Sequence, residues 1–212
     1  IGYFKAIKEG KKKHKMNDEE TIEACKELVR TNPDDAETHC FLGIAYSFSG
    51  KYKEAIEAYK QALRIDPDNT DAHLNLGVVY YESGMYEEEI ETCNQLLRIN
   101  PDNAEVHRSL GVAYDELGMH KEAIKSYKSM LRIDPDDADA HFLIGLSYLD
   151  LNDGDSAFEQ YKILKSLDSE LANKVFASLA EDDEILQALR PECFPDIVKE
   201  PNPDICHLIR YH

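Results

Sequence analysis

LRIDPDN at residues 63–69 returns as LRINPDN at 97–103 and as LRIDPDD at 131–137, a step of 34 residues each time. A period of this length means that one supersecondary unit is written several times. Each unit then buries its apolar face only by stacking on the next. Other columns keep the same step. Pro33, Pro67, Pro101 and Pro135 do so, as do Gly43, Gly77, Gly111 and Gly145, and Tyr46, Tyr80, Tyr114 and Tyr148.

The block 70–103, TDAHLNLGVVYYESGMYEEEIETCNQLLRINPDN, shows what one unit builds. Ala72, Leu76, Val79 and Tyr80 are spaced as one face of a helix. Gly84 interrupts, and Ile90, Cys93, Leu96 and Leu97 resume the helical spacing until Pro101 closes it. The unit is therefore helix, turn, helix. Gly50, Gly84 and Gly118, followed by Asn152, occupy the turn, and glycine and asparagine best tolerate the left-handed conformation of a helix C-cap. The mid-helix glycine column asks for close approach of a neighbouring helix, because Gly disfavours a helix by about 1 kcal/mol relative to Ala. Asp35, Asn69, Asn103 and Asp137 stand where N-caps are needed, and Glu37, Asp71, Glu105 and Asp139 put negative charge into the first turns.

Leu42, Gly43 and Tyr46, then Ala55, Tyr59 and Ala62, then Pro67, resemble the tetratricopeptide repeat. The resemblance covers four repeats, 36–69, 70–103, 104–137 and 138–171. ETIEACKELVRTNP at 20–33 parallels EAIEAYKQALRIDP at 54–67, so 17–35 reads as the second helix of a partial repeat. Ahead of it, 1–16 is a basic segment that either forms a degenerate first helix or docks elsewhere. Behind the repeats, 172–190 reads as a capping helix and 191–212 as a Pro-rich tail. The resemblance implies an all-α, right-handed α-solenoid of helix-turn-helix units. Three departures stand out: His39, His73, His107 and His141 replace the usual large aromatic, Glu89 replaces an alanine, and Ser169 replaces the last closing proline.

Composition narrows the function. The net charge is −18, from 42 acids against 24 bases, and a nucleic-acid partner would need a basic stripe on the phosphates. Residues 1–16 are the exception, with six lysines against Glu9. No apolar run is long enough to span a bilayer, so a membrane role would come only from a missing segment or from the basic head. The five cysteines, Cys25, Cys40, Cys93, Cys193 and Cys206, form no CxxC pair, which suits a reduced, cytoplasmic chain. Cys25 and Cys93 fall on apolar helical positions and read as small buried hydrophobes.

No catalytic constellation is visible, and no cofactor or metal is expected. The four histidines in register belong to successive repeats, too far apart for one metal whose bonds to nitrogen are about 2 Å. Cys193, Cys206, His207 and His212 in the tail match no zinc spacing, and NDGD at 152–155 reads as the repeat's turn. The expectation is a non-enzymatic protein.

The resemblance implies that the first helices of the repeats line a concave groove that takes a protein or peptide. The candidates are Ile44 and Phe48 in the first repeat, and Leu74, Asn75, Val78 and Tyr81 in the second. Arg108, Val112 and Asp115 follow in the third, and Phe142, Leu146 and Leu149 in the fourth. Cys40 falls on the same stripe. The carboxylate clamp of co-chaperones in this family is not reproduced. Only Asn75 matches it, whereas Cys40, Ile44, Glu105 and Ser109 stand where lysines, an asparagine and an arginine belong. The asparagine ladder of the sugar-transferase relatives is also absent, its column reading Phe41, Asn75, Ser109 and Leu143. What remains is an apolar floor with acidic edges, suited to a partner with apolar anchors and Lys or Arg. The alternative expectation is self-association into a homo-oligomer, the basic head or the tail of one molecule docking on its neighbour.

Overall fold

The computed structural model describes residues 17–180. The basic segment 1–16, the later part of the expected capping helix and the whole tail lie outside the described residues. Within them the regular elements are all helical: α1 (Asp18–Thr31), α2 (Ala36–Phe48), α3 (Tyr52–Ile65), α4 (Thr70–Glu82), α5 (Tyr86–Ile99), α6 (Ala104–Glu116), α7 (His120–Ile133), α8 (Ala138–Asp150), α9 (Gly154–Leu167) and α10 (Ser169–Ala180).

Local chemistry sets these boundaries. Asn17 and Glu20 form a reciprocal capping box at the start of α1. Asn69 Oδ1 accepts from Ala72 N at 2.9 Å, Asn103 Oδ1 from Val106 N at 3.1 Å and Asp137 Oδ1 from Ala140 N at 3.0 Å. Each satisfies an otherwise orphaned donor of a first turn. The turn within each hairpin is a Schellman motif. Lys51 N donates back to Tyr46 O at 2.9 Å and Gly50 N to Ser47 O at 3.0 Å, and the 6→1 bond recurs from Met85 to Tyr80, Met119 to Tyr114 and Asp153 to Tyr148. The residue before each of these donors has positive φ: Gly50 and Gly84 at 69°, Gly118 at 71° and Asn152 at 55°.

Two compact units divide the chain after Val106. In the first, α2 packs on α1, α3 and α4, and α4 packs on α3 and α5. Ile22, Cys25 and Ala45 form one cluster, and Ala36, Cys40, Ala62 and Ala72 a second. Ala55, Ile56, Tyr59, Leu76, Val79 and Tyr80 form a third. In the second unit α8 packs on α7, α9 and α10, and α9 packs on α10. Its described core includes Ala157, Phe158, Tyr161, Leu164, Ala172, Val175 and Phe176. Tyr59 and Tyr127 are almost wholly buried, and burying side chains of this size stabilises by about 1.5–3 kcal/mol each.

α10 begins at Ser169, ahead of the expected 172. The reason is Asp168, whose Oδ1 accepts from Glu170 N at 2.9 Å and Leu171 N at 3.1 Å and so starts the helix directly after α9.

Candidate protein-binding face

In the first unit the expected groove residues lie on α2 and α4. Phe48 is 73% exposed, Val78 59% and Tyr81 38%. These are large, exposed apolar side chains on the first helices of two repeats. The Tyr81 ring lies 5.9 Å from that of Tyr86, which seats it against the start of α5. Ile44 is half-buried and packs on the cluster around Tyr59 and Leu76. Leu74 is half-buried, and Asn75 Nδ2 donates to Asp71 O at 2.7 Å, which commits part of its amide to its own helix. Cys40 is a core residue and not part of a lining, being 7% exposed among Ala36, Ala62 and Ala72. Burial, reinforced by nearby Asp71 and Glu37, raises its thiol from 9.0 to about 11.

In the second unit Arg108 is exposed and Val112 half-buried. Asp115 is already occupied. Its carboxylate accepts from Tyr127 Oη at 2.9 Å and from Ser147 Oγ at 2.9 Å, and His120 Nδ1 lies 2.9 Å from Oδ1. His120 Nδ1 also lies 3.7 Å from Asp150 Oδ2. Three partners hold this carboxylate in place, so its role is to join α6, α7 and α8 rather than to await a ligand. Phe142 and Leu149 pack partly against the cluster of α9 and α10. α10 reaches α8 as well as α9, which is why these two are half-covered. Leu146 is half-buried.

The Asp115 arrangement left a trace in the sequence. Its column reads Ser47, Tyr81, Asp115 and Leu149, while that of Ser147 reads Ala45, Val79, Ala113 and Ser147. A carboxylate in one repeat and, in the next, a serine in an otherwise apolar buried column point to a hydrogen-bonded pair.

The histidine column serves the loops between repeats. His39 Nε2 donates to Pro33 O at 2.8 Å, His73 Nε2 to Pro67 O at 2.9 Å and His141 Nε2 to Pro135 O at 3.2 Å. Since a carbonyl only accepts, Nε2 carries the proton in each. Among the described residues no cluster of His, Cys, Asp and Glu has a metal-holding arrangement. No described helix is long and apolar enough to cross a membrane.

Charge is sorted between the two helices of each repeat. The first helices, α2, α4, α6 and α8, carry Glu37, Asp71, Glu82, Glu105, Asp115, Glu116, Asp139 and Asp150, with Arg108 as their one fixed cation. Lysines are confined to the second helices and α1, α9 and α10 among the described helices. A first-helix face that combines exposed apolar groups with acids can anchor an apolar side chain and attract a cationic one.

The TPR repeat family pattern matches residues 49–84, 79–118 and 114–152. Among solved structures, a crystal structure of MamA superposes with a TM-score of 0.67 at 27% identity, covering 77% of this chain and 95% of that one. MamA MSR-1 gives 0.63 at 28% identity over 72% and 88%. MamA from Desulfovibrio magneticus RS-1 gives 0.68 at 21% identity over 80% and 95%, a likeness of fold alone. No curated protein matches. With its 34-residue helical hairpins, Schellman turns and MamA-like fold, the chain belongs to the tetratricopeptide repeat family, in the all-α solenoid class.

Proposed function

We propose that the chain is a non-catalytic scaffold that holds a peptide or amphipathic helix, carrying both apolar and basic residues, against the first helices of its repeats. The repeat family and the solved relatives support a protein–protein interaction scaffold. The observation that carries the finer reading is the exposure of Phe48, Val78 and Tyr81 on α2 and α4, helices whose only fixed charges are Glu37, Asp71 and Glu82. Apolar anchors supply affinity, and the surrounding acids steer a cationic partner and select against an acidic one. A cytoplasmic setting belongs to the same reading.

The test is fluorescence anisotropy with a labelled Lys/Leu amphipathic peptide and a Glu/Leu peptide of equal length. The Lys/Leu peptide binds, and Val78→Ser combined with Tyr81→Ser weakens it by about tenfold, a loss of about 1.4 kcal/mol. Circular dichroism shows helicity unchanged. Equal affinity for both peptides, or no loss in the double variant, removes the reading. Phe142→Ala is unsuited to this test, because Phe142 also packs on the core of its unit.

A further inference from the structure

Helices α5 and α7 hold the same place in successive repeats, 34 residues apart, and carry opposite charge. α5 has Glu87, Glu88, Glu89 and Glu91 against Arg98, and α7 has Lys121, Lys125, Lys128 and Arg132 against Glu122. The exchange falls on outward positions. Glu87 answers to Lys121, Glu91 to Lys125 and Asn94 to Lys128, and all six are exposed, while the fourth position keeps its cation, Arg98 answering to Arg132. On α7 the cations recur at i, i+4, i+7 and i+11, which is a single stripe about 16 Å long.

Neither stripe is neutralised within the described residues. Lys125 Nζ approaches only Glu122, on its own helix, at 3.6 Å. Lys128 Nζ donates to Tyr148 Oη at 3.1 Å and Arg132 Nη2 to Ser129 Oγ at 2.9 Å, both neutral partners. Glu87, Glu88 and Glu91 meet no cation among the described residues. Among the described residues α7 thus leaves a basic stripe in water, and α5 an acidic pair, Glu87 and Glu91, at the first two of the same repeat positions, with Arg98 at the fourth.

We propose that Lys121 and Lys125, the first turn of the basic stripe of α7, dock on the acidic pair Glu87 and Glu91 of α5 in a second copy of this chain. The matching i, i+4 spacing of Glu87 and Glu91 with Lys121 and Lys125 comes free from the repeat, since both pairs occupy the same register. The two stripes are different surfaces, so the interface is heterologous. Each docked molecule keeps one stripe free, and assembly propagates. Exposed ion pairs are individually weak and salt-screened, so the association depends on concentration and on low ionic strength. The inference uses the second helices of the repeats and stands independently of the peptide-binding reading.

The test is sedimentation equilibrium of the full chain without added peptide. Mass rises with concentration at ~0.02 M salt and falls to the monomer at ~0.5 M, where the Debye length shrinks to a few ångströms. The pair Glu87→Lys with Glu91→Lys abolishes association, as does the pair Lys121→Glu with Lys125→Glu, with helicity intact in both. An equimolar mixture of the two variants associates again, because each supplies the charge that the other lacks. A monomer at every concentration overturns the proposal, and so does a mixture that stays monomeric. An oligomer lost only on deleting residues 1–16 transfers the interface to the basic head. A monomer that sediments with anionic phospholipid vesicles, and no longer does so with Lys121→Glu and Lys125→Glu, overturns the proposal and shows that α7 meets a membrane surface instead.

Discussion

At Gly43 an added Cβ would stand 2.6 Å from the Tyr59 ring, and at Gly111 it would run into Tyr127. At Gly77 the nearest atom would be Thr92 Cγ2 at 3.9 Å, an ordinary distance. One repeat column therefore hides two different environments. Gly43→Ala and Gly111→Ala are expected to lower stability by about 1–3 kcal/mol through overpacking against a buried ring. Gly77→Ala is expected to raise it by up to about 1 kcal/mol through helix propensity. Urea denaturation of the three variants checks this, and equal effects at all three would remove the packing account. The sequence made the glycine column visible and gave close approach as its reason. It did not show that Gly77 lacks the ring. The clue was present at Cys93, which stands where Tyr59 and Tyr127 stand in the neighbouring repeats.

Among the elements, helix ends were the most legible. Positive φ at Gly50, Gly84, Gly118 and Asn152 occurs where the turn residues required it, and Asn69, Asn103 and Asp137 accept the expected N-cap bonds. These features are local, so residue type and offset determine them. The start of α10 was less legible, because the missing proline at Ser169 concealed that Asp168 caps a helix there. Side-chain exposure on the first helices was less legible still. Phe48 and Cys40 lie on the same predicted stripe, yet one is 73% exposed and the other 7%. Which part of a helix a neighbour covers depends on packing between elements, and periodicity does not carry it. At this scale Asp137→Ala is expected to cost about 1 kcal/mol, by leaving Ala140 N without its acceptor. Asp137→Asn, which keeps the acceptor, should be nearly neutral, and thermal unfolding of both separates cap from charge.

Across the molecule, buried phenols and thiols make stability sensitive to alkali. Burial raises the Cys40 thiol to about 11 and the Cys93 thiol to about 12, from 9.0, and Glu89 adds to the rise at Cys93. Burial also pushes Tyr59 and Tyr127 up, the latter aided by Asp115. In the unfolded chain the same thiols ionise from about pH 9, so the unfolded state sheds protons first. The stabilisation is complete below pH 9 and is lost as the pH rises toward 11 to 12. Urea midpoints should therefore be flat from neutrality to about pH 9 and fall steeply above it. Cys40→Ala combined with Cys93→Ala should flatten part of that fall, and an unchanged slope would show that the thiols do not contribute. Fold class and net charge were readable from the whole chain, because both are sums over many residues. The charge exchange between α5 and α7 became visible only once exposure picked out the outward positions.

In three repeats the buried pair on the second helix is an alanine and a tyrosine: Ala55 with Tyr59, Ala123 with Tyr127, and Ala157 with Tyr161. In the remaining one it is Glu89 with Cys93, both at most 4% exposed. Bulk has moved from one position to the one four residues before it, so the two columns are coupled. A sequence assembled by taking the commonest residue in each column independently would restore alanine and tyrosine together and remain packable. A chimera that changes only one column is expected to pack less well: Cys93→Tyr alone sets a buried ring beside a buried Glu89, and Glu89→Ala alone leaves a void. Recombination between these repeats is therefore tolerated only at crossovers that keep residues 89 and 93 on the same parent.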